Sequence, residues 1–280
     1  MKLNSRRILI GFVLSVIITN VSACGGTPAQ PPATPTPNLP QAETFAPTLP
    51  PADAFTPTFT SIPLFTIVSM VSNPTEQTGK SPDYTLKAQT PFLQRSEDLR
   101  VTNFNNEMAL LTQEEIAKFR DNLVQIVPLP GSTGSAYDQT YKLLSAPGNL
   151  LSFKFEIYIN ITGAAHPNTH SRTVTYDLET GADVRLEQLF LPGSDYLGTI
   201  ANFCIAQLKT RNIGFEAFSS GADPLPENYG SWNVTPDGLL ITFDPYQVAA
   251  YAAGPQDVIV PYAELKSIID PHGPLAQFLP

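Results

Sequence analysis

Between Leu151 and Thr162 apolar and polar side chains alternate without a miss: Leu151, Phe153, Phe155, Ile157, Ile159 and Ile161 against Ser152, Lys154, Glu156, Tyr158, Asn160 and Thr162. A period of two over twelve residues fits only an extended strand with one apolar face, as in an antiparallel sheet open to water on its other side. Such a strand cannot stand alone. Fixing its backbone costs about 1 to 2 kcal/mol per residue, and each buried side chain returns about 1.5 to 3 kcal/mol. It needs neighbours, and Thr140 to Ser145 before it and Ser171 to Leu178 after it supply them, with turns at Ala146 to Asn149 and in the Gly163 to Asn168 loop.

Around that strand the sequence alternates irregularly between helical and extended periods. A first strand is expected at Tyr84 to Ala88. A helix follows from about Asn103 to Gln125, with Phe104, Met108, Leu111, Ile116, Phe119 and Leu123 inward and Glu107, Glu114, Glu115, Lys118, Arg120 and Asp121 on its wet face. Leu186 to Leu191 reads as a short helix or turn after Thr180-Gly181, and Ser194 as the cap of a helix running to about Lys209. A Gly-, Pro- and Ser-rich loop spans Gly214 to Tyr229. Strands at Trp232 to Thr235 and Leu239 to Phe243 are joined at Pro236-Asp237-Gly238, a third lies at Asp257 to Val260, and Pro261 opens a last helix, Tyr262 to Ile269. The class is α+β, an antiparallel sheet packed with a few helices.

The first eighty residues are of another kind. Lys2, Arg6 and Arg7 precede an apolar run from Ile8 to Ile18, about half a bilayer span, which ends at Val21-Ser22-Ala23-Cys24. This is a lipoprotein signal, with residues 1–23 removed and Cys24 taking a diacylglyceryl chain. From Gly25 to Pro63 the chain is mostly Pro, Thr and Ala, with only Glu43 and Asp53 charged, a composition that favours extended, unpacked conformations. Residues 24–80 are therefore read as a disordered tether. Residues 81–140 form an N-terminal strand and helix portion, and residues 141–280 the main domain. The expected address is extracytoplasmic, on a bacterial cell membrane.

Charge narrows the partners. The whole chain carries −9, and loss of the signal leaves thirteen basic against twenty-five acidic residues, −12. Nucleic acid is not expected, because its binding needs basic patches, and membrane contact is expected only through the lipid. With Cys24 lipidated, Cys204 has no disulfide partner, and it lies on the apolar face of its helix, where it reads as a small buried side chain.

Several runs in order, Gly163-Ala164-Ala165-His166-Pro167-Asn168, Tyr176-Asp177-Leu178-Glu179-Thr180-Gly181, Leu186-Glu187-Gln188-Leu189-Phe190 and Phe243-Asp244-Pro245-Tyr246-Gln247-Val248 through Tyr251-Ala252-Ala253-Gly254 to Val260-Pro261-Tyr262, resemble the RsiV-like extracytoplasmic domain family. The resemblance covers about 140 to 270, and more loosely 83 to 126. It implies a module also found in the non-catalytic part of PdaC-type peptidoglycan deacetylases and in lipoproteins, and one that in an anti-sigma factor binds lysozyme. An anti-sigma factor also needs a cytoplasmic segment and a membrane span, so with everything after Cys24 outside the membrane this chain is not expected to signal in that way. Ala164 stands where the family often has a second Gly, and Ala249-Ala250 where a Gly-Pro pair is common.

His166-Pro167-Asn168-Thr169-His170 has the spacing of the paired metal histidines in polysaccharide deacetylases, and Thr242-Phe243-Asp244 is similar to the start of their aspartate motif. Pro245 occupies the place of the second acid, and the order along the chain is reversed, so neither metal nor cofactor is assigned. His166 is expected to make structural hydrogen bonds and His170 to lie at the surface. The leading expectation is a non-enzymatic envelope protein that binds an envelope polymer, such as peptidoglycan, or an exported protein such as a lysozyme-like hydrolase. The alternative is a cell-wall-modifying enzyme, a peptidoglycan deacetylase or glycosidase. Candidate ligand contacts are His166, Asn168, His170, Tyr229, Trp232, Tyr246 and Tyr251, because exposed aromatics stack on sugars and anchor protein interfaces.

Overall fold

The alternating run becomes the centre of a six-stranded sheet in the computed structural model, which describes residues 64–66, 68–94, 97–124 and 134–278. Cys24, the signal segment and the Pro-rich tether up to residue 63 lie outside the described residues. The strands are β1 (Ser69–Lys80), β2 (Asp83–Gln94), β3 (Ser135–Ser145), β4 (Leu150–Asn160), β5 (Asn168–Asp177) and β6 (Ala182–Asp183), adjacent in that order. Every neighbouring pair is antiparallel except β2 and β3, which run parallel, so the sheet is mixed. Between β2 and β3 lies the helix α1 (Leu99–Val124), a crossover that a parallel pair requires.

The α1 stripe of Phe104, Met108, Leu111, Ile116, Phe119 and Leu123 is buried against one face of this sheet. It meets Leu151, Phe153, Phe155, Ile157 and Ile159 of β4, the apolar set of the alternating run. Each of these buried side chains contributes about 1.5 to 3 kcal/mol.

The other face of β4 is not left to water. A second, three-stranded antiparallel sheet, β7 (Trp232–Thr235), β8 (Gly238–Phe243) and β9 (Gln256–Pro261), lies against it through polar contacts. The Ser152 hydroxyl accepts from Asn233 Nδ2 and from the Val234 N–H, both at 3.0 Å, which leaves its own hydrogen for Thr175 Oγ1 at 2.9 Å. Trp232 N–H donates to Thr173 Oγ1 at 3.1 Å. Lys154, 6% exposed, holds both carboxylate oxygens of Asp257 at 2.8 and 2.9 Å, and Thr242 Oγ1 donates to the same Asp257 Oδ1 at 2.7 Å. The half-buried strand that alternation implied is thus buried on both faces over its first half.

The far side of the second sheet forms a separate apolar core with α2 (Tyr196–Lys209) and α3 (Tyr262–Leu265). Cys204 is fully buried there, and burial pushes its thiol up to about 12, far from a reactive thiolate. The cap of α2 is Asp195, whose carboxylate accepts the Gly198 N–H at 3.0 Å, rather than Ser194. The expected loop from Gly214 to Tyr229 contains two 3-10 helices, Phe215–Ala222 and Pro226–Tyr229, and α3 is shorter than the Tyr262 to Ile269 helix expected.

The fold also begins earlier than composition suggested. Residues 69–80, assigned to the tether, form β1 and pair with β2 over their whole length from Ser69↔Gln94 to Lys80↔Asp83. Its side chains alternate only between exposed and half-buried, which is why no apolar signal marks it. Among the described residues no helix is long and apolar enough to cross a membrane.

Candidate functional site

At the end of β8 the chain turns sharply through Asp244-Pro245-Tyr246-Gln247, with the Gln247 N–H donating to the Asp244 carbonyl at 3.0 Å. Pro245 occupies the second position of this turn, and Tyr246, at the third, has φ of 72°. A proline followed by a residue of positive φ defines a type II turn, whose third position ordinarily belongs to Gly or Asn. Tyr246 is the only non-glycine with positive φ among the described residues. Holding a bulky L-residue there costs about 1 kcal/mol or more, so its surroundings must enforce it.

The enforcing contacts are on both sides of the turn. The Gln247 side chain accepts the Asp244 N–H at 3.2 Å and donates to the carbonyls of Gly221 and Asn228 at 3.0 and 2.9 Å. Gly221 lies so close that an added Cβ would sit 1.8 Å from the Gln247 carbonyl oxygen. On the other side Asp244 Oδ1 accepts the Ser171 N–H of β5 at 2.9 Å, while burial pushes its carboxyl above the usual range.

With the turn so fixed, the Tyr246 ring is 55% exposed and stands beside Tyr251 and His166. Ring centroids are 4.2 Å apart for His166 and Tyr251, 5.5 Å for Tyr246 and Tyr251, and 6.2 Å for His166 and Tyr246. His166 Nδ1 lies 2.8 Å from the Pro167 carbonyl, which can only accept, so Nδ1 carries a hydrogen. In the neutral ring Nε2 then accepts from the Tyr246 hydroxyl at 3.3 Å. Tyr251 Oη donates to the same Pro167 carbonyl at 2.6 Å and ties the 163–168 loop to the turn. The structural hydrogen bonds expected of His166 are present. Asn168, exposed, adjoins as the first residue of β5.

Three other candidates lie elsewhere. Tyr229 is 1% exposed, edge-on to Phe243, with its hydroxyl donating to the Ala222 carbonyl, and Trp232 is 7% exposed in the α2 core. Neither is a surface contact, since that core needs large side chains to fill it. His170 is not a surface residue but half-buried against α1, with Nε2 3.3 Å from Glu115 Oε2.

Glu115 in turn corrects the reading of a solvated helix face. Its side chain is 3% exposed and is held by Lys118 at 2.6 Å and Arg172 at 3.1 Å, as well as by His170. Burial acts to raise its pKa, but the hydrogen bonds from His170 and Lys118 outweigh it, and the carboxyl sits at about 2. His166 and His170 therefore engage different partners. Among the described residues no group of three His, Cys, Asp or Glu side chains is arranged to hold a metal ion.

The arrangement offers an exposed aromatic face, rigid at its base, with hydroxyl and imidazole groups at its edge. That chemistry suits stacking on a sugar ring or packing under a protein side chain.

Comparison with known proteins bears on this half of the molecule. Residues 187–263 match the family described as "Protein of unknown function (DUF3298)", a span that includes Tyr246 and Tyr251 but not His166. The chain is 24% identical over 160 residues to the peptidoglycan-N-acetylmuramic acid deacetylase PdaC of Bacillus subtilis, covering 56% of this chain and 34% of that protein. It is 25% identical over 130 residues to the immunogenic protein MPT64 of Mycobacterium tuberculosis, covering 46% of this chain and 57% of the other. It thus spans about a third and somewhat over half the length of these relatives. A DUF3298 family member from Bacteroides fragilis has the same fold, with a TM-score of 0.56 at 17% identity over 72% of this chain and 94% of that one.

Proposed function

We propose that this chain, which carries a DUF3298 domain with weak similarity to PdaC, is a lipid-anchored extracytoplasmic binding protein and that the face formed by His166, Tyr246 and Tyr251 contacts its partner. The observation that carries the reading is Tyr246, half-exposed and kept in a backbone conformation that favours glycine. Strain held in place by several hydrogen bonds around an exposed ring is expected of a recognition residue and has no use in packing. The partner is an envelope polymer such as peptidoglycan or a cationic exported hydrolase of the lysozyme kind, which the acidic charge of the chain would steer.

Calorimetric titration of the full chain with a cationic lysozyme at two salt concentrations, and with soluble peptidoglycan fragments in parallel, tests this. Salt-sensitive lysozyme binding makes the protein a hydrolase sensor or decoy, and uptake of wall fragments makes it a polymer-binding module. Silence in both arms refutes the binding reading. The competing reading, a cell-wall-modifying enzyme, draws on the activity in the name of PdaC. Release of acetate or of reducing ends from peptidoglycan by the full chain would favour it.

The anchor has its own test. Replacing Cys24 by Ser should abolish incorporation of labelled fatty acid and move the protein from the membrane fraction to the medium or periplasm. Unchanged fractionation and labelling would remove lipidation from the account.

A further inference from the structure

On the opposite flank of α1 from the Glu115 cluster, a groove of about 470 Å³ opens between the helix and the edge strand β1. That is within the range of roughly 300 to 1,000 Å³ usual for small-ligand sites. We infer that this groove binds a saccharide unit carrying a carboxylate.

The floor of the groove is polar. Between the apolar clusters that α1 makes with the sheet, three polar side chains are almost wholly buried: Thr90 of β2, Thr112 of α1 and Gln139 of β3. Apolar residues there would add to the core, so the polar set weakens packing unless every group is satisfied. Both amide hydrogens of Gln139 are used. Its Oε1 accepts from Tyr137 Oη at 2.6 Å, and its Nε2 donates to Thr112 Oγ1 at 3.0 Å and to the Gln89 carbonyl at 3.3 Å. Thr90 and Thr112 share a hydrogen bond of 2.9 Å, which uses one hydroxyl hydrogen of the two. Whichever donates, the other hydroxyl hydrogen has no acceptor in this network, and both threonines line the groove. The floor therefore offers a donor to a ligand hydroxyl or carbonyl.

The walls continue that chemistry. Asn73, Thr75 and Gln77 alternate along β1 on the groove side, with Asn73 directly across from Thr90, and Gln113 projects from α1. Amides and hydroxyls both donate and accept, which matches the mixed hydrogen bonding of sugar hydroxyl and acetamido groups. Only Ala109 and Ile116 are apolar in the lining, too little to seat a peptide side chain as an anchor. At the rim Arg120 Nη2 donates to Gln77 Oε1 and so bridges α1 to β1. In a chain with twenty-five acidic residues this guanidinium has no carboxylate partner among the described residues. Its remaining N–H groups suit a carboxylate on the ligand.

N-Acetylmuramic acid and N-acetylglucosamine differ by a lactyl carboxylate, so the pair separates the Arg120 contribution from the rest. Amide chemical-shift titration of the full chain is expected to move resonances of β1, Thr90 and Thr112 with both sugars, with dissociation constants in the millimolar range. The acidic sugar should bind about tenfold more tightly. Arg120→Gln is expected to erase that difference, and Asn73→Ala, at an exposed position that leaves the core untouched, to weaken both sugars several-fold. Shifts at Tyr246 and Tyr251 are read separately, so that sugar contact at the aromatic face is distinguished from binding in this groove. The inference is overturned by absence of shifts at about 50 mM of either sugar, or by binding that Asn73→Ala and Arg120→Gln leave as it was.

Discussion

Replacing Asp257 by Ala is expected to destabilise the protein by about 3 kcal/mol and to lower its melting temperature by roughly 6 to 12 °C. Lys154 is the reason. Its side chain is 8% exposed between the two sheets, and Asp257 is the one anion that it touches among the described residues, while Asp257 itself is 49% exposed. Removing the carboxylate leaves a buried ammonium unpaired and takes away the acceptor of the Thr242 hydroxyl. Removing the ammonium instead, as Lys154→Met, leaves a carboxylate that water can reach, and should cost about 1 kcal/mol or less. The double variant should recover most of the loss, because a buried pair replaced by apolar groups is often close to neutral. Thermal and urea unfolding of the four proteins measures the cycle. An Asp257→Ala variant within 1 kcal/mol of the parent would mean that the sheets are not held by this pair.

Glu115→Gln is the second large effect, and it depends on pH. The folded Glu115 carboxyl titrates at about 2 against 4.5 for a free glutamate, because burial, which would raise it, is outweighed by His170 and Lys118. A depressed carboxyl pKa contributes stability that is complete above the unfolded pKa and is lost as pH falls towards the folded one. The shift corresponds to about 3 kcal/mol at most, and solvent screening at His170 and Lys118, whose side chains are 28% and 60% exposed, reduces this to about 2 kcal/mol at pH 7. The parent should therefore exceed Glu115→Gln by about that amount at neutral pH, with the gap closing between about pH 4.5 and 2. A gap that is the same at pH 7 and pH 2.5 would show that the variant acts through packing rather than through charge.

These two ion pairs also show what local sequence carries. The alternation from Leu151 to Thr162 announced β4 because its apolar face is buried continuously, and the hairpin Trp232 to Phe243 was legible from its turn residues. The burial of Glu115 was not, since the helix shows only a pair of acids and the groups that draw one inward stand 55 and 57 residues further on in β5. β1 escaped because an edge strand lined with Asn, Thr and Gln buries too little to impose a hydrophobic period. The parallel pairing of β2 with β3 leaves no local mark either, being fixed by the passage of α1 across the sheet. Of the candidate contacts, His166, Tyr246 and Tyr251 come together, the first two exposed and Tyr251 half-buried beneath them. Tyr229 and Trp232 do not: Tyr229 ends a Gly- and Pro-rich stretch that has no period, and Trp232 opens a four-residue strand too short to show which of its faces is covered. The signal for Tyr246 was present in Pro245-Tyr246, a turn pair with a large residue where glycine is usual.

The most direct test of the account is Tyr246→Gly, assayed for stability and for binding in the same preparation. Glycine relieves the positive φ, worth about 1 kcal/mol, and gives up ring contacts of similar size. The variant is expected to melt at or above the temperature of the parent and to bind the lysozyme or peptidoglycan partner at least tenfold more weakly. A variant that binds as the parent does, or that loses binding only because it unfolds, would contradict the assignment of Tyr246 as a recognition residue.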